Sequence, residues 1–204
     1  KLTLPSLRSF MNQSIERKEI LSQTVKAIVP VSELISKQIK EKYPHSRDFI
    51  KKPIHPGVAS MNLDRKTFNP SIPVVGFMGK EWKRKGLPKV IEIWRELRKE
   101  NPSIKLCLAG FDVVEKIGIK NHEKAHIEVL GYVKNKESFY QKIDLLIHPA
   151  KLEAFGMIVP EALSLGIPVL SSKETGASSI NSDLQSILSY KESATTWTKH
   201  TKDV

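Results

Sequence analysis

"DLLIHPAKLEAFGMIVPEALSLGIPVLSS", residues 144–172, decides the fold. It opens on a short apolar run, 144–150, passes through a polar loop, enters "MIVPEALSLG" with Gly166 as a stop, and closes on a second apolar run, "IPVLSS" at 167–172. Runs this short and this apolar, bounded by Pro and Gly, fit strands buried on both faces, and the stretch between them is long enough for a helix. Strand, helix, strand is a crossover unit, and a crossover of this kind joins parallel strands.

The same alternation extends upstream. "VVGFMG" (74–79) is apolar and ends in glycine. "GLPKVIEIWRELRKENP" (86–102) places Leu87, Val90, Ile91, Trp94 and Leu97 on one stripe of a helix that Pro102 ends. "IKLCLAG" (104–110) and "IEVLGYV" (127–133) are further strand candidates. The reading is an α/β domain, a Rossmann-like parallel sheet with helices on both faces. Ligands of such sheets bind outside the carboxyl ends of the strands, at a topological switch point. The tail beyond Ser182 is polar and reads as poorly ordered.

The N-terminal part differs. From residue 6 to about 43 the pattern is helix, strand, helix: "AIVPVS" (27–32) is the strand, and "SELISKQIKEKYP" (32–44) a helix with Ser32 as N-cap and Pro44 as its stop. The Pro-, Asn- and Ser-rich stretch 47–73 reads as a linker around one extended segment ending at Gly57. The domain boundary falls there, with 1–57 as the end of one domain plus linker and 58–204 as the α/β domain.

The chain of 204 residues carries a formal charge of +11. Between Lys1 and Lys66 thirteen Lys and Arg stand against six Asp and Glu, so most of the excess lies in the N-terminal third. A basic surplus suits a polyanionic partner: nucleic acid, an acidic membrane surface or a phosphorylated substrate. No aromatic residues interleave with these lysines and no finger or RNA-recognition signature is present, which argues against nucleic acid. The sequence shows no bilayer-length apolar run and no signal-peptide pattern, so a cytoplasmic location is expected. The single cysteine, Cys107, sits inside an apolar run and reads as core.

The best-known nucleotide signatures are absent. None of the ten glycines falls into G-x-G-x-x-G, and "GKEWKRKG" (79–86) lacks the G-K-[ST] of a P-loop. "HEKAH" (122–126) matches the H-E-x-x-H zinc pattern, but it has room for barely one helical turn and no third ligand downstream. It reads as a solvent-exposed loop.

Two clusters remain. Lys80, Lys83, Arg84 and Lys85 crowd the turn after the first strand of the alternating region. Cations there suit a diphosphate, although a basic surface loop fits about as well. Glu153 precedes the helix of the crossover, Gly156 opens that helix, and Glu161 lies about two turns into it. The helix start can take phosphate and the two carboxylates can accept sugar hydroxyls; acids placed near a helix N-terminus for dipole reasons are the simpler alternative.

Taken in order, Glu153-x7-Glu161 in "EAFGMIVPEALSLGIPVL", "GKEWKRKG", "LAG" (108–110), "LGYV" (130–133) and "HPGV" (55–58) resemble the retaining glycosyltransferases of the GT-B fold, family 4. "HPAKLEAFGMIVPEA" with "KRKGL" upstream looks most like bacterial enzymes that add hexoses to the lipopolysaccharide core. The resemblance covers roughly residues 15–180. It implies transfer of a hexose from a nucleotide sugar, UDP-linked by family frequency, with retention at the anomeric carbon and no metal or other cofactor.

By the same resemblance, Lys80 and Lys85 hold the diphosphate and stabilise it as leaving group, the kind of charge stabilisation that is usually the largest catalytic term. Glu153 contacts the donor sugar, and Phe155, Gly156 and Met157 offer backbone N–H groups. Glu161 binds the ribose hydroxyls, and Tyr132 and Val133 border the base. Gly79, Arg84, Gly110 and Ile158 complete the implied donor-binding set. Neither glutamate need act as a nucleophile, because the departing phosphate can take the acceptor's proton.

A full GT-B enzyme has two Rossmann-like domains, and the first, acceptor domain is represented here only by the helix, strand and helix. The chain is therefore expected to be a donor-binding part, inactive alone, whose acceptor is a cell-envelope glycan or lipid-linked glycan. The basic N-terminal third would allow peripheral contact with an anionic membrane. A non-catalytic nucleotide-sugar-binding module and a basic nucleic-acid-binding domain are the competing readings.

Overall fold

The computed structural model describes residues 25–61, 63, 69–111 and 117–201. These fall into two compact units that divide between His55 and Pro56.

In the first unit, helix α1 spans Glu33–Lys42. Ser32 caps it as its sequence predicts, the side chain accepting a hydrogen bond from the Ile35 N–H at 3.2 Å. The helix stops before Pro44, which begins a 3-10 turn over Pro44–Phe49. The strand expected at 27–32 is reduced to one bridge, Ile28 to Ile50, with Ile28 N–H donating to the Phe49 carbonyl at 2.8 Å. Pro30, lacking an N–H, limits any longer ladder. The helix expected from residue 6 lies largely outside the described residues.

The second unit is the α/β domain. Its elements are β1 Val74–Met78, α2 Leu87–Glu100, β2 Lys105–Ala109, β3 Ile127–Val129, α3 Glu137–Tyr140, β4 Leu145–His148, α4 Ile158–Ser164, β5 Val169–Ser172, β6 Gln185–Leu188 and α5 Ala194–His200. All six strands pair in parallel in the order β3-β2-β1-β4-β5-β6. This is the expected Rossmann-like sheet.

Period-two alternation sends neighbouring side chains to opposite faces. Leu106 and Leu108 pack with Phe77, with the predicted α2 stripe, and with Trp197 of α5. Cys107 and Ala109 pack with Phe139, Ile143, Val159 and Ala162. The sheet is thus covered on both sides, and Cys107 is wholly buried, as its apolar run suggests.

The polar tail is ordered over its described residues, 183–201. β6 adds to the sheet edge beside β5, and α5, capped by Ser193, seats a fully buried Trp197 against α2. Gln185 and Ser186 hide the strand from a hydropathy reading, because an edge strand needs little apolar surface. The zinc-like pentad also differs from expectation: Asn121–His126 is a 3-10 turn, and Glu123 is buried rather than exposed. Its carboxylate accepts from Arg95 Nε at 2.7 Å, from Arg95 Nη2 at 2.8 Å and from the Lys120 N–H at 2.7 Å. Arg95 first, then that backbone donor, outweighs burial and holds Glu123 down to about 2.

Candidate functional site

β1 and β4 lie side by side, and the chain runs outward from them in opposite directions. The switch point is therefore between their carboxyl ends, where the loops 79–86 and 149–157 emerge. These loops are fastened together. The Lys151 N–H donates to the Arg84 carbonyl at 2.9 Å. Gly86, at φ 87, lies so close that an added Cβ would stand 1.9 Å from the Pro149 carbonyl oxygen, so only glycine serves there.

The second loop is held from its other side by the segment after β5. The Glu153 N–H donates to the Glu174 carbonyl, and the Glu153 carbonyl accepts from the Gly176 N–H, both at 2.9 Å. Glu153 consequently projects from a backbone fixed on two sides. Its Oε2 lies 3.3 Å from Lys85 Nζ and 3.4 Å from Arg84 Nη1. Arg84 also donates to Glu81 and to the Leu152 carbonyl. The hydrogen bond it gives to the Glu81 carboxylate is the main reason its guanidinium is held above the ordinary range.

Beside this pair is a cleft of about 250 Å³. Eight of the residues expected from the sequence line it: Gly79, Lys80, Lys85, Gly110, Tyr132, Val133, Met157 and Ile158. Lys80 Nζ sits 5.8 Å from the centre of the Tyr132 ring, a cation over an exposed aromatic face. Gly79 leaves room for the Lys85 stem, since a Cβ there would be 2.5 Å from Lys85 Cδ. Gly110, at φ 92, lets two loop backbones meet, and a Cβ would fall 2.9 Å from the Gly79 nitrogen.

The other candidates lie around this cleft rather than on its surface. Phe155 is core, with only 5 % of its surface exposed. Gly156 has φ 85, which no helix accommodates, so α4 begins two residues later and Glu161 falls in its first turn, not two turns in. Lys83 turns away to Trp82, 5.2 Å from the ring centre.

Glu161 is nearly buried and doubly held. Its Oε1 accepts from Lys136 Nζ and its Oε2 from the Tyr140 hydroxyl, each at 2.6 Å. Lys136 and Met78 also line the cleft, and the sequence reading missed both. Lys136 resembles any surface lysine in sequence, 25 residues from Glu161. His148 was missed as well. It ends β4 fully buried, with neither ring nitrogen hydrogen-bonded, and its Nε2 is 3.4 Å from where a Cβ of Gly156 would be. Burial first, then the charges of Lys85 and Arg84, push its pKa down to about 3, so the ring is neutral. A histidine inside an otherwise apolar strand was the available signal.

A larger cleft, about 430 Å³, opens at the other end of the sheet, at the amino ends of the strands, among Pro73, Val74, Ile104, Asp144 and Pro168. It is mostly apolar, and its charged lining residue, Asp144, is an acid. Among the described residues that line it, none is a cation for an anionic ligand. Among the described residues no cluster of His, Cys, Asp or Glu could hold a metal ion, and no helix is long and apolar enough to cross a membrane.

Fold and site define the class: a Rossmann-like α/β domain with a charged cleft at its switch point. Over residues 62–203 the sequence matches the family described as glycosyl transferases group 1, and the chain belongs to that family. The O-antigen biosynthesis glycosyltransferase WclY of Escherichia coli is 34 % identical over 117 residues, 53 % of this chain and 31 % of that protein. WaaG, a glycosyltransferase involved in lipopolysaccharide biosynthesis, superposes with a TM-score of 0.72 at 18 % identity, covering 98 % of this chain and 59 % of WaaG. Anabaena HepE, solved in complex with UDP and glucose, gives a TM-score of 0.61 at 17 % identity over 87 % of this chain and 54 % of HepE. The chain thus spans about a third of WclY and little more than half of these structural neighbours. The Rossmann-like parallel sheet that the motifs suggest, as one half of a GT-B fold, is the sheet observed, and it matches that of the glycosyltransferase WaaG; WclY is named for O-antigen biosynthesis.

Proposed function

We propose that residues 58–204 are the donor-binding domain of a retaining glycosyltransferase that transfers a hexose from a nucleotide sugar, UDP-linked, to a cell-envelope glycan or glycolipid. One observation carries this reading: Lys85 and Glu153, 68 residues apart in sequence, meet at 3.3 Å beside a cleft at the switch point of a parallel sheet. Lys80 and Lys85 supply positive charge where a diphosphate leaves, and charge placed in advance costs no reorganisation during the reaction. Glu153 accepts a hydroxyl of the sugar, Glu161 accepts the ribose hydroxyls, and Tyr132 with Val133 borders the base. The lysines serve in place of a metal, so transfer needs no added cation. UDP in the complex of HepE supports the choice of nucleotide.

The acceptor comes from a further domain, and the chain alone binds donor without transferring sugar. Calorimetry with UDP, UDP-glucose, GDP-mannose and a single-stranded oligonucleotide tests this. Uridine nucleotides should bind, and Lys85→Ala should abolish the heat. Binding of the oligonucleotide alone, unaffected by Lys85→Ala, would overturn the reading and favour a nucleic-acid module.

A further inference from the structure

The carboxylate of Glu161 is the most tightly held acid near the cleft. Only 12 % of its side chain is exposed, and its two oxygens are taken by different donors arriving from the segment before α4. Tyr140, at the end of α3, is fully buried. Desolvation foremost, and then the facing carboxylate, push its phenol far above the ordinary range, so the hydroxyl keeps its proton and remains a donor. Lys136, just ahead of α3, lies on the cleft lining and is about half exposed. A carboxylate with one donor on each oxygen cannot turn about its last torsion without breaking one of them. Each oxygen still has a second lone pair to offer.

Resting on the reading that Glu161 meets the ribose, we propose that Tyr140 and Lys136 are positioning residues that lock this carboxylate, and that the lock makes the domain select ribonucleotides over 2′-deoxyribonucleotides. A fixed acceptor left without its hydroxyl stays unsatisfied in a poorly hydrated place. An acceptor that can rotate turns to water instead and loses little. Discrimination therefore depends on rigidity as well as on the presence of Glu161.

Calorimetry with UDP and 2′-deoxy-UDP on the intact chain tests this, alongside a thermal melt of each variant. The native chain should prefer UDP about tenfold, the usual scale for one lost hydrogen bond to a desolvated charged group. Tyr140→Phe should bring that ratio to about two, mainly by strengthening 2′-deoxy-UDP binding, and Lys136→Met should lower the ratio while Lys136→Arg restores it. Should Tyr140→Phe not fold, Lys136→Met carries the test, because that side chain is partly exposed. Equal loss of affinity for both nucleotides, with the ratio unchanged in folded variants, would make these residues purely structural and overturn the proposal. No preference in the native chain would instead remove the ribose contact of Glu161 itself, and this inference with it.

Discussion

Replacing Glu153 by Gln should tighten UDP binding, an unusual direction for a change inside a binding site. In the structure, Glu153 Oε2 lies 3.3 Å from Lys85 Nζ, the cation proposed above to hold the diphosphate. At an effective dielectric of about 20, that attraction is about 5 kcal/mol before solvation is counted. The two side chains are 22 % and 15 % exposed, and solvent together with the lost hydration of each ion leaves a net worth of about 1 kcal/mol. On that proposal UDP displaces the carboxylate from Lys85 to bind, so removing its charge should lower the UDP Kd about fivefold. UDP-glucose should gain less, because the amide is a poorer acceptor for the sugar hydroxyl. The assay is paired calorimetry of UDP and UDP-glucose at low salt, with a thermal melt as control. Weaker UDP binding in folded Glu153→Gln would refute the idea that this ion pair competes with the diphosphate.

Other perturbations separate site from scaffold. Gly79→Ala should leave the melt nearly unchanged yet weaken UDP, because the new methyl group meets the flexible stem of Lys85 at 2.5 Å rather than backbone; unchanged affinity would show that Lys85 does not reach the ligand from its present path. Trp197→Ala should cost about 3–5 kcal/mol in urea unfolding, since the ring is wholly buried against α2. A loss below about 1 kcal/mol would mean that α5 does not belong to the core. Acid should destabilise the domain in two stages. His148, at about 3 in the fold against 6.5 as a free side chain, contributes its full share above pH 6.5 and loses it as pH falls toward 3, with a slope of at most about 1.4 kcal/mol per pH unit. Glu123, at about 2 against 4.5, adds a second loss below pH 4.5. Urea midpoints of native and His148→Asn chains between pH 7 and pH 5 check the first stage: the variant should show the flatter profile, and identical slopes would contradict a neutral buried ring.

The parts legible in the sequence are those whose physics is local. β1, β2 and β4 are short apolar runs closed by Gly or Pro, β5 is one that Gly166 and Pro168 open, and α2 carries an apolar stripe of period 3.6, so none depends on a distant partner to be seen. β6 and α5 escaped because their stability is borrowed. Gln185 and Ser186 pair with an already formed β5, and a single Trp197 in a polar stretch does the packing that a stripe would do elsewhere. The site divides the same way. The motifs that carry the family resemblance pointed to the cleft walls, whereas the ties that set its electrostatics span 68 residues from Lys85 to Glu153 and 21 from Tyr140 to Glu161. No periodicity encodes those meetings; the strand order creates them.

In the proposed function the donor nucleotide sits at the switch point, although a larger cleft is available at the other end of the sheet. A crystal structure of this chain with UDP tests that placement most directly. The account predicts the diphosphate within hydrogen-bonding distance of Lys85, the ribose beside Glu161, and the Lys85–Glu153 pair opened. A nucleotide lodged instead among Pro73, Ile104 and Pro168, with Lys85 still paired to Glu153, would contradict it.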